Sequence, residues 1–119
     1  MHDAKLTESE LDHFTGGDEM YRHQLGGCYT EGVRHVARRA GAYWLLDAVF
    51  SHQSNPLAGQ EPFQVWTLLV LPARTAVLVM SDGNTERAIL RQEIEYTDFP
   101  LAQIKLFLVQ GVLMLPGEY

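Results

Sequence analysis

Phe63-Gln64-Val65-Trp66-Thr67-Leu68-Leu69-Val70-Leu71, followed at once by Pro72-Ala73 and then by Thr75-Ala76-Val77-Leu78-Val79-Met80-Ser81, decides the fold class. Both runs are rich in β-branched and aromatic residues, and the break between them is short enough for a hairpin. The first run is apolar at both parities. Phe63, Val65, Leu69 and Leu71 fall on one face of a strand, and Trp66, Leu68 and Val70 on the other. Such a strand is expected either to be central in its sheet or to have one face covered by a partner. Beyond the turn Asp82-Gly83-Asn84, Glu86 to Tyr96 predicts a third strand, with Ala88, Leu90, Ile94 and Tyr96 on one side. Arg87, Arg91, Glu93 and Glu95 fall mainly on the other side, which is expected to see water.

Downstream, Ile104 to Leu115 reads either as one apolar helix or as two short strands about Gln110-Gly111. The hairpin is favoured, because glycine accepts positive φ in a two-residue turn and is costly inside a helix. Upstream the apolar period changes from 2 to 3.6. From Thr30 to about Ser51, residues Val33, Val36, Ala37, Ala40, Trp44, Leu45, Ala48 and Val49 recur at the spacing of one helical face. This predicts one long helix, with Gly41 inside it at a cost of roughly 1 kcal/mol and marking close approach of another backbone. His52 to Glu61, with Asn55-Pro56 and Gly59, reads as a loop. Asp18 to Tyr29 reads as irregular structure or a short strand. Thr7-Glu8-Ser9-Glu10 has the form of a capping box, with Leu6 and Leu11 as a hydrophobic staple, and opens a short helix over about residues 8–14 that Gly16-Gly17 stops. The expected architecture is α+β: a short N-terminal helix and one long helix packed on a mainly antiparallel sheet of about five strands. Residues 1–119 form a single domain, with no repeat, linker or charge block.

Fifteen acids against nine bases leave a formal charge of −6 on 119 residues. That balance argues against an open phosphate-binding surface, so nucleic acid is not the expected partner. The uncharged stretches 62–73 and 106–117 are 12 residues each, short of the roughly 20 that a membrane-spanning helix needs. The polar N-terminus shows no signal-peptide pattern, and the cytoplasm is the expected compartment. A single cysteine, Cys28, excludes an internal disulfide and a multi-cysteine zinc site.

Four groups of residues are candidates for chemistry or contact. Cys28 precedes a helix N-terminus, where amides and the helix dipole lower a thiol pKa, and Gly26-Gly27 offers open backbone for an oxyanion. A nucleophile needs a base, and His23 and His52 are the candidates. A small buried hydrophobe is the commoner role of a lone cysteine. His13, His23, His35, His52 and Asp47 are the potential metal ligands, yet they form no ligand motif, and neither a metal nor another cofactor is expected. Arg34, Arg38 and Arg39 make a basic stripe in a segment, 32–58, that carries +2 against −5 before it and −3 after. Such a stripe most often pairs with neighbouring carboxylates. Tyr43-Trp44-Leu45-Leu46-Asp47 makes the second half of the helix apolar nearly all round, which suggests burial under a second layer or in a protein interface, with Asp47 as a buried carboxylate.

Phe14-Thr15-Gly16, Tyr21-Arg22-His23, Tyr29-Thr30-Glu31-Gly32-Val33, Ala42-Tyr43-Trp44-Leu45-Leu46-Asp47 and Gly111-Val112-Leu113-Met114-Leu115-Pro116-Gly117-Glu118-Tyr119 together resemble a family of small bacterial proteins known only as a domain of unknown function. The resemblance runs over nearly the whole chain and brings no catalytic residues with it. It implies an accessory gene of chromosomes, plasmids and phages. From that setting follows the expectation of a regulator or inhibitor of a host defence system such as CRISPR.

The expected function is therefore non-enzymatic protein binding, or self-association as a homodimer. The contacts would fall on Trp44, Tyr43, Trp66, Arg34, Arg38 and Arg39. The alternative is a small enzyme or ligand-binding domain that uses Cys28 or Asp47 with a histidine, His23 in the first place.

Overall fold

A computed structural model describes residues 5–84 and 87–119. It is an α+β fold built on one seven-stranded mixed sheet with short helices on one side. In chain order the elements are α1 (Glu8–Leu11), β1 (Met20–Arg22), β2 (Cys28–Thr30), α2 (Glu31–Ala40), α3 (Tyr43–Ser51), α4 (Pro56–Gly59), β3 (Phe63–Val70), β4 (Ala76–Ser81), β5 (Leu90–Ile94), β6 (Gln103–Val109) and β7 (Val112–Met114), with 3₁₀ turns at His52–Ser54 and Pro116–Glu118. The sheet order is β1-β2-β7-β6-β3-β4-β5, antiparallel throughout except for the parallel β2–β7 pair.

The strands expected from the alternation at 63–71 and 75–81 form, and β3 lies between β4 and β6. The hairpin at 104–115 forms too. Gln110 and Gly111 both take positive φ, 51° and 84°, the pattern of a type I′ turn whose twist suits a hairpin. The strand placed at 86–96 is shorter, Leu90–Ile94, with Ala88 and Tyr96 both exposed. Its start at Glu86 lies outside the described residues.

Two expectations are overturned. The sheet has seven strands rather than about five, because Asp18–Tyr29 supplies β1 and β2, each too short at three residues to show alternation. The long helix is two helices. Gly41 adopts φ 60°, its N–H donates to the Arg38 carbonyl, and the Ala42 N–H donates to the Ala37 carbonyl at 2.8 Å. This is a Schellman C-cap, with the buried Ala42 as its apolar contact. The apolar pattern runs on past the break because α3 is buried on most sides, so periodicity alone hides the stop. Nor does another backbone approach Gly41: a methyl group there would meet open space.

Smaller corrections fall at the helix ends. α1 is a single turn ending at Leu11, and the chain continues to Phe14 through i to i−3 bonds. The Glu10 half of the capping box forms, with the Thr7 N–H donating to Oε1 at 3.1 Å. The expected loop 52–61 holds the one-turn α4, capped by Asn55 with Pro56 in the first turn.

The core lies between α2 and α3 and one face of the sheet. Val33, Val36 and Ala37 from α2, and Leu45, Leu46, Val49 and Phe50 from α3, pack on Trp66, Leu68, Leu78, Met80, Leu106 and Leu113. The even-numbered residues of β3, β4 and β6 point into this core, and the odd-numbered residues point away.

Candidate functional site: the open face of the sheet

The odd-numbered side chains of the three central strands form a surface. Phe63, Val65, Thr67 and Leu69 of β3, Val77, Val79 and Ser81 of β4, and Lys105 and Phe107 of β6 lie on this face. Most of them are half-buried by their neighbours alone, and Leu69 is 38% exposed. Apart from Val77, they line, together with the turn at Gly83-Asn84, a shallow hollow of about 760 Å³. Tyr119 covers one corner, its ring 5.3 Å from Phe63 and 5.7 Å from Phe107, and these two pack on each other at 5.1 Å. Gly83, at φ 85°, lets its turn lie against the Phe63 ring, which a methyl group there would meet at 2.7 Å. The hollow is mixed in character: Phe63, Val65, Leu69, Val79 and Phe107 share it with Thr67, Ser81, Asn84 and Lys105, and among the described residues no carboxylate side chain lines it.

Trp66, expected as a contact residue, belongs to the opposite face. It is 1% exposed, donates its indole N–H to the Gln64 side-chain oxygen at 2.8 Å and stacks on His52 at 5.5 Å. Gln64 is itself buried and saturated. Its amide nitrogen donates to Gln53 Oε1 and to the Ala58 and Glu61 carbonyls, and its oxygen also accepts from Gln53 Nε2. A buried polar group fully bonded in this way is tolerated in a core. With both parities of β3 apolar, the sequence left open which face the helices cover. Nothing local in the sequence distinguished the odd-numbered set Phe63, Val65, Val79 and Phe107 as the open face.

The structure brings His23 and Asp47 together, with His23 Nε2 2.8 Å from Asp47 Oδ1. Asp47 is not the buried carboxylate expected, since 58% of its side chain is exposed. The other ring nitrogen of His23, Nδ1, accepts the Leu25 N–H at 3.1 Å, which makes Nε2 the protonated donor to Asp47. The imidazole also stacks on Phe50 at 4.5 Å. Both nitrogens are thus engaged, and His23 ties the β1–β2 loop to α3 rather than offering a free base. Cys28 sits in β2, paired across the sheet with Arg22 and Val112, and its thiol makes no hydrogen bond to a histidine or carboxylate among the described residues.

The basic stripe is largely neutralised within the chain. Arg34 lies over the Tyr21 ring at 4.6 Å and 3.6 Å from Glu31. The Tyr21 hydroxyl donates to Glu31 at 2.7 Å, and this bond pushes the phenol's pKa up. Arg39 donates to both oxygens of Glu10, at 3.1 and 3.0 Å, and His35 Nε2 lies 2.7 Å from Glu10 Oε2. The Arg39 guanidinium first, and His35 second, hold the Glu10 carboxyl down to about 2 from 4.5. Arg38 is exposed. His52 bonds to Gln92 at 2.7 Å. No group of three or more His, Cys, Asp or Glu among the described residues is arranged to hold a metal. Trp44 of α3 is half-buried and faces the end of β5, while Tyr43 is exposed.

No helix among the described residues is long and apolar enough to cross a membrane. The chain matches no curated protein and no solved structure. A family of unknown function, DUF6876, matches residues 5–119, and the chain belongs to that family.

Proposed function

We propose that the protein works by binding another protein through the open face of its sheet, without chemistry of its own. The observation that carries this reading is the one-sided coverage of the sheet: α2 and α3 bury one face, while Val65, Leu69, Val79 and Phe107 stand in the other. Lys105 sets the partner's character, because a cation set among apolar side chains and the hydroxyls of Thr67 and Ser81 favours a partly apolar protein surface that brings a carboxylate. The finer form of the proposal is a cytoplasmic inhibitor that occupies the surface of a host defence effector such as a CRISPR nuclease. The mobile-element setting that the resemblance implies supports it.

Affinity capture from a host lysate with the wild type and with Val79→Glu, Lys105→Glu and Arg38→Glu tests the reading. The wild type and Arg38→Glu are expected to retain one and the same captured protein, and the two open-face variants to lose it while keeping the wild-type melting curve. Equal capture by all four overturns the docking face. The inhibitor form fails if the captured protein is no defence component, or if its nuclease activity is unchanged by saturating wild-type protein.

A further inference from the structure

Strand β5 closes one end of the sheet. Only β4 pairs with it among the described strands, so the backbone groups on its outer side are open to another strand. Its sequence, Leu90-Arg91-Gln92-Glu93-Ile94, is complementary to itself when reversed: apolar, cation, amide, anion, apolar. We propose that β5 pairs with β5 of a second copy, antiparallel, about a two-fold axis at Gln92.

In that register Leu90 faces the partner's Ile94, Gln92 faces the partner's Gln92, and Arg91 faces the partner's Glu93, each contact occurring twice except at the axis. Directly opposed residues share a face. The apolar pairs and Gln92 therefore lie on the helix side, as they do within one chain, where Leu90, Gln92 and Ile94 sit opposite the buried Met80, Leu78 and Ala76. The charge pairs lie on the open side. Within one chain Arg91 and Glu93 are 3.9 Å apart and 59% and 80% exposed, a loose contact that leaves both free to turn to a second copy. Registers that keep both helix layers on one side but centre on Arg91 or on Glu93 place that residue opposite its own copy and lose the two Arg91–Glu93 pairs.

A five-residue edge is a small contact. Stable interfaces bury about 1,200–2,000 Å² in total, so neighbouring surface has to join in. Beside β5 lies a broad groove lined by Trp44, Asp47 and Ala48 of α3 and by Ile94, Glu95 and Tyr96. Its apolar residues, Tyr96 most exposed of all, stand where the second copy's helix layer arrives. The pairing joins two seven-stranded sheets into one of fourteen and leaves the open faces of both copies available, so it is independent of the docking proposed above.

Sedimentation across a concentration series, with two charge variants, tests the pairing. The wild type is expected to dimerise reversibly. Glu93→Arg sets cation against cation at both charge pairs of the dimer, and Arg91→Glu sets anion against anion there. Each variant alone is expected to raise the dimer's dissociation constant by about 10-fold or more. An equimolar mixture of the two restores opposite charges at every pair and is expected to dimerise as the wild type does. A wild type that stays monomeric at the highest soluble concentration overturns the proposal. So does a wild-type dimer that both variants keep unchanged, which would mean association through another surface. Loss of dimer in both variants without recovery on mixing also overturns the register.

Discussion

Gly41 carries φ 60° at the junction of α2 and α3, a conformation that costs an L-residue with a side chain roughly 1–2 kcal/mol. Because a methyl group there meets no neighbour, the cost of Gly41→Ala isolates the backbone term. Chemical denaturation is expected to show a loss of about 1–2 kcal/mol for Gly41→Ala and a smaller loss for Gly41→Asn, since asparagine tolerates the left-handed region better. Equal stability of the alanine variant would mean that α2 and α3 run on as one helix in solution. The sequence made this glycine visible and left its role ambiguous: a helix interior and a helix stop look alike when the next helix is apolar on most sides. The same ambiguity hid the outer face of β3. Both parities of that strand are apolar, and Gln64 is held on the core side by the carbonyls of Ala58 and Glu61 and the amide of Gln53. No local pattern in the chain announces those three partners.

At the scale of elements, α2 begins under a carboxylate from the far end of the chain. Glu118 accepts hydrogen bonds from the Thr30 hydroxyl at 2.6 Å, the Gly32 N–H at 3.1 Å and the Leu115 N–H at 2.9 Å. A negative group among the first amides of a helix is favourable both by hydrogen bonding and by the helix dipole. Glu118→Ala is expected to cost about 2 kcal/mol in a denaturant titration. Gly32→Ala acts on the same contact from the other side, because a Cβ on Gly32 lies 2.7–2.8 Å from the carboxylate and forces it away. The double variant is therefore expected to be more stable than the sum of the single losses implies, by at least about 0.5 kcal/mol. Strict additivity would place Glu118 elsewhere in solution. Alternation and helical period, being local, made legible β3, β4, the β6–β7 hairpin and the buried face of α2. The parallel β2–β7 pair and this cap join residues more than eighty positions apart, and three-residue strands are too short for a periodic signal to reveal them.

For the whole molecule, Glu10 fastens the segment before the sheet to the helix layer: it takes Arg39 and His35 from α2 and the Thr7 amide from its own turn. Its folded-state pKa of about 2 lies below the ordinary 4.5, so the folded state holds this proton more weakly than the unfolded chain does. The stability that follows is fully present above about pH 4.5 and is lost as pH falls from there through about 2. Tyr21 works in the opposite sense, because its raised pKa adds stability that is present below pH 10 and lost above it. Glu10→Gln removes Glu10's share of the acid-side dependence and leaves the alkaline side unchanged. The wild type and this variant, unfolded by denaturant at a series of pH values, are expected to differ most at neutral pH and to converge between pH 4.5 and about 2. A constant gap across that window would mean that Glu10 titrates normally and that Arg39 and His35 do not hold it in solution. Convergence would show that the basic stripe of α2 is committed largely to internal fastening. Its charges would then be spent within the chain, and the open sheet face and the β5 edge would remain as the surfaces for partners.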